Sequence, residues 1–176
     1  MLILDIALQI VGAFYMFAGV ALVRAMATSR MIDSAIDAIT LSKTPPSTAE
    51  TLKERFTIVL AIMTFLSGLA LISMSELAVH LFVATTLVQA IFLFWIAPRY
   101  VDPAEEGGLP PGRQQSINAL VIFGAVTALV AWATGLGRLQ PVAEASDVSL
   151  IMTGSLVVIF IGYLIWSYKR ARLGSS

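Results

Sequence analysis

The chain has 176 residues, 58% of them hydrophobic and 12% charged, with 11 basic and 11 acidic side chains and no cysteine. Its mean hydropathy of +0.88 lies outside the range of soluble domains, and one helical membrane domain uses nearly the whole chain. The missing cysteines exclude disulfides, iron–sulfur clusters and thiolate zinc sites, and the balanced charge points away from nucleic acid.

Leu2 to Val23 is an apolar run longer than a secretory core and lacks a basic leader, so it reads as a retained first span (2–23). Asp5, Gln9, Gly12, Met16 and Gly19 recur at spacings of four, three, four and three, which puts them on one helical face. Gly12 and Gly19 would let another helix approach closely. Asp5 and Gln9 would form a polar cluster at the outer end.

No breaker follows Arg24, so the helix is expected to continue as an amphipathic extension to about Thr40. Ile32, Ala35, Ile36 and Ile39 mark one side, with Arg30, Asp33 and Asp37 around the other. Those charges nearly cancel, so the extension suits the chain's own second helix, or a partner, better than an anionic lipid surface. Lys43-Thr44-Pro45-Pro46 breaks it. Ser47 with Glu50 three residues on predicts a capping box, making residues 24–55 a cytosolic helical hairpin.

Phe56 to Ala97 as a single helix would be roughly 60 Å long at about 1.5 Å per residue. The hydrocarbon core of a bilayer is about 30 Å thick. Two spans, 56–74 and 77–97, therefore fold back at Ser73-Met74-Ser75-Glu76, where Ser73/Glu76 have capping-box spacing and Ser75 is an alternative cap. Trp95 and Tyr100 are interfacial anchors, and Pro98 is expected to end the helix. A Pro- and Gly-rich connection leads to span 4 (117–136), with Gly124 and Ala128 as a small-residue pair. Span 5 (148–168) contains Gly154 and Gly162 and finishes in Tyr163, Trp166 and Tyr168 before Lys169, Arg170 and Arg172. The expected fold is all-α: a polytopic bundle of five transmembrane helices in a single domain, 1–176.

The basic residues set the orientation. Arg24, Arg30, Lys43, Lys53, Arg55, Arg99, Arg113, Lys169, Arg170 and Arg172 fall on one side, and Arg138 alone on the other. By the positive-inside rule the amino terminus is outside and the carboxyl terminus cytoplasmic, in what is expected to be a bacterial inner (plasma) membrane.

Few residues offer chemistry. Glu76 and His80 are neighbours on a helix and share the outer face with Asp5, Gln9, Glu144 and Asp147. A carboxylate holding an imidazole serves proton transfer or metal ligation, although the bland alternative is an interfacial pair. Thr85, Thr86 and Gln89 lie on nearly one side of span 3 and either line a neutral pore or bond between helices. No Asp, Glu, Lys or Arg lies deep in the membrane, where coupled transporters and pumps usually carry one. No span holds two carboxylates, no G-x-S-x-G marks a serine nucleophile, and one histidine cannot give a bis-histidine haem within one chain.

The sequence thus predicts a non-catalytic accessory, assembly or anchor protein acting through helix–helix association, with other membrane proteins or a second copy as partners and no cofactor. A channel or permease for a small neutral solute is the first alternative. A metal- or haem-binding protein using Glu76 and His80 is the second.

Overall fold

The computed structural model describes residues 2–40, 47–101, 113–141 and 147–173. Among them, five helical stretches are long and apolar enough to cross a membrane: Leu2–Ile32, Thr48–Ile72, Leu77–Tyr100, Arg113–Gly135 and Leu150–Arg170. They lie within α1 (Leu2–Thr40), α2 (Thr48–Ile72), α3 (Leu77–Ile91) with its continuation α4 (Ala97–Tyr100), α5 (Arg113–Gly135) and α6 (Asp147–Leu173). The protein is an all-helical membrane bundle.

α1 runs without interruption from the first span through the polar extension. α2 begins in the expected capping box: the Glu50 N–H donates to Ser47 Oγ at 3.2 Å, and the Ser47 N–H donates to Glu50 Oε2 at 2.7 Å. Each closes one of the orphan donors at a helix start. The breaker at residues 43–46 and the connection 102–112 lie outside the described residues.

The reversal between α2 and α3 is built differently from the expected capping box. Ser75 N–H donates to the Ala70 carbonyl and Met74 N–H to that of Leu71, both at 3.0 Å. With Met74 left-handed at φ 51°, this is a Schellman ending. Ser73 is spent as the C-cap of α2, so it does not cap α3. Ser75 does, accepting from the Leu77 N–H at 3.3 Å. α5 ends in the same way: Gly137, at φ 67°, and Arg138 donate to the Thr134 and Ala133 carbonyls.

Pro98 does not end the third span. Residues Phe92–Ile96 widen into a π-helical turn, with the Ala97 N–H donating to the Phe92 carbonyl, and the helix continues to Tyr100. A proline in the regular helical register would clash with the carbonyl four residues back. The wider turn shifts that register. The Leu93 carbonyl, five residues before Pro98, instead accepts from the Arg113 guanidinium at 3.5 Å.

The helices pack in the order α6, α1, α2, α3, α5, with α1 against α2 the most extensive contact. That contact is close because the buried stripe of α1 (Leu8, Gly12, Tyr15, Gly19, Val23, Met26) puts glycine where α2 crosses. A Cβ on Gly12 would stand 2.8 Å from the Gly68 carbonyl, and one on Gly19 would stand 2.8 Å from Phe65 Cβ. Close backbone approach of this kind replaces the hydrophobic driving force that helices lack in lipid. Tyr15 meets Phe82 and Phe123 edge to face, and Phe82 and Phe123 are tilted on one another, in a knot where α1, α3 and α5 meet, with centroids 4.9–5.2 Å apart. Phe65 stacks on Phe160 and joins α2 to α6, beside Val23 of α1.

Candidate functional site

Three places bring together the polar residues singled out by the sequence. The first is the end of the bundle that holds Asp5. Here the segments after the two Schellman turns clasp one another: the Gln140 N–H donates to the Met74 carbonyl at 2.7 Å, and the Glu76 N–H donates to the Gln140 carbonyl at 2.9 Å. Leu139 is buried beneath this clasp against Leu8, Leu71 and Ala78. Asp5 Oδ2 lies 3.8 Å from Arg138 Nη1, while Asp5 Oδ1 is buried without a hydrogen-bond partner.

Glu76 and His80 are adjacent there, as their spacing implies, but not as a carboxylate–imidazole pair. His80 Nδ1 lies 3.2 Å from the backbone carbonyl of Glu76, which can only accept, and the imidazole is exposed. The Glu76 contribution to the clasp is likewise its backbone. Gln9 is exposed and stands outside the buried stripe of α1. Glu144 lies outside the described residues, and Asp147 is described only as the first residue of α6. Among the described residues, no three His, Cys, Asp or Glu side chains gather to hold a metal ion.

The second place is mid-membrane. Thr85 is fully buried, donates to the Leu81 carbonyl and lies 3.3 Å from Ser67 Oγ of α2. Thr86 meets Thr127 of α5 at 2.8 Å; one hydroxyl donates across the pair while the other donates to the carbonyl four residues back on its own helix. Ser73 and Thr153 make a further hydroxyl pair, between the end of α2 and α6, at 3.1 Å. The two threonines therefore join helices instead of facing a lumen, and Gln89 is half-buried on the same span. The partners Ser67 and Ser73 were not among the expected site residues.

The third place is the opposite, basic end. Arg30 of the α1 extension pairs with Glu54 of α2 and also lies over the Tyr168 ring at 4.3 Å. Arg99 lies over Trp95 at 5.5 Å and Arg170 over Trp166 at 5.3 Å. Guanidinium–aromatic pairs of this kind suit a membrane–water boundary, with an apolar body and a wet tip.

The small residues divide sharply. Gly12 and Gly19 are consumed inside the chain, together with Gly68, which spacing had not singled out. A Cβ on Gly124, Gly154 or Gly162 would meet nothing within 4 Å, and Ala128 is exposed beside Gly124. These faces of α5 and α6 point away from the chain's own packing.

No protein-family model, no curated protein and no solved structure matches the chain.

Proposed function

We propose that the protein is a non-catalytic membrane accessory, assembly or anchor protein that works by helix–helix association, in a bacterial inner membrane with its amino terminus outside. The observation carrying this reading is the unburied apolar stripe on the α1 extension. Ile32, Ile36 and Ile39 are 55%, 53% and 82% exposed. α1 has 39 residues, so it is roughly 58 Å long at about 1.5 Å per residue and outruns an about 30 Å hydrocarbon core. Residues 36 and 39 lie beyond the stretch that can cross the membrane. Lipid tails spanning that stretch do not reach Ile36 and Ile39, and the Arg30–Glu54 pair fixes the extension against α2 without burying them.

The open small-residue faces of α5 and α6 support the same reading within the membrane, since such faces admit a neighbouring backbone. A neutral-solute pore around α3 is less well supported, because the Thr85 and Thr86 hydroxyls are occupied by neighbouring helices.

Affinity purification of the full chain from its native membrane tests the proposal. A second chain, or a second copy, should co-purify and be lost with I36E/I39E while the melting temperature holds. A monomeric chain with nothing bound would overturn it.

A further inference from the structure

Arg24 and Arg170 stand at opposite ends of the sequence, yet both line one open groove of about 350 Å³ between α1 and α6. The two helices run parallel there: Val23 shares a cluster with Phe160, and about two turns further on Arg30 reaches Tyr168. Thr28 contributes to the α1 wall, and Trp166 with the buried Ser167 to the α6 wall. We propose that this groove binds the phosphate of an anionic phospholipid, gripped by the Arg24 and Arg170 guanidiniums.

Charge, depth and shape carry the assignment. Arg30 is committed to Glu54, whereas among the described residues neither Arg24 nor Arg170 pairs with a carboxylate. Two cations facing one groove call for an anion, and a guanidinium offers paired donors matched to phosphate oxygens. The apolar run Leu2–Val23 is about 33 Å long at about 1.5 Å per residue, so Arg24 follows directly on the hydrocarbon core. Arg170 closes the last span, Leu150–Arg170, at the other end of the groove from Arg24, and its guanidinium folds back over Trp166. That is headgroup depth. Trp166 beneath Arg170 is an interfacial anchor, and the exposed apolar sides of α1 and α6 lead from the groove along the acyl-chain region. The extension alone has balanced charge; the fold makes the anion site by adding Arg170 from the last helix.

This site does not depend on the association reading. Native mass spectrometry of the detergent-solubilised full chain, titrated with phosphatidylglycerol or phosphatidylcholine of matched tails, tests it. Phosphatidylglycerol should be retained in preference by about thirtyfold, given about 1 kcal/mol for each of the two arginines near anionic lipid. R24Q/R170Q should abolish the preference, and R170Q alone should lower it by about fivefold. K53Q/R55Q, which removes the same charge elsewhere at that end, should keep it. Equal loss in K53Q/R55Q, or an unchanged preference in R24Q/R170Q, would overturn the proposal. Millimolar glycerol 1-phosphate should not displace the lipid. Displacement would assign the groove to a soluble phosphate compound and sink the lipid assignment.

Discussion

Gly68 is under a tighter steric constraint than either glycine of α1. A Cβ there would run into the backbone of Met16 and Gly12, where no side chain can swing aside. Gly68→Ala should therefore cost about 2 kcal/mol, as overpacking does, and lower the melting temperature in detergent. Gly124→Ala, with open space around it, should be neutral or stabilise by up to about 1 kcal/mol from helix propensity. If both variants melt alike, the α1–α2 contact is not set by close approach. Gly12 and Gly19 were legible because their spacing falls on one helical face. Ala61, Thr64 and Gly68 recur at spacings of three and four, so Gly68 also falls on one helical face. The Glu76–His80 spacing was equally legible and its chemistry was not. Spacing on a helix brings two residues together, but it does not say whether the imidazole meets the carboxylate or the backbone.

At the scale of elements, hydroxyl pairs tie the middle of the bundle together. Thr86 and Thr127, at 2.8 Å, link α3 to α5, which otherwise meet through Phe82 and Phe123. A double-mutant cycle with Thr86→Val and Thr127→Val should give a coupling of about 0.6 kcal/mol, the average for interhelical hydrogen bonds in membranes. Additive single effects would mean that the pair is incidental. The span boundaries were readable because each apolar run is closed by charge, glycine or proline. The continuation past Pro98 was not, because only the π-helical turn and the distant Arg113 accommodate the missing N–H. The clasp between residues 74–76 and 139–140 was also invisible, since it joins backbone groups far apart in sequence and needs no characteristic side chain.

For the molecule as a whole, the positive-inside bias predicts how the chain sits. The cysteine-free sequence allows single cysteines at Ser47 and Glu144 to be probed in intact cells with a membrane-impermeant thiol reagent. Glu144→Cys should label and Ser47→Cys should not. The reverse pattern would invert the topology and put the α1 extension outside. Asp5, Arg138 and the clasp gather at one end, while the arginine–aromatic pairs and the lipid groove occupy the other. Between them, the packing order leaves α5 and α6 at the two flanks with their glycines uncovered. The molecule is closed where α1 meets α2 and open at its flanks and along the α1 extension, as a component that completes its packing with another chain would be.

The most direct test is photocrosslinking in the native membrane from a benzoyl-phenylalanine placed at Ile39, 82% exposed on the extension, and separately at Ala128. The account predicts a protein adduct from Ile39, either with a partner or with a second copy, and its loss when Ile36 is changed to Glu. No protein adduct from either position, together with a monomeric mass by light scattering, would contradict it.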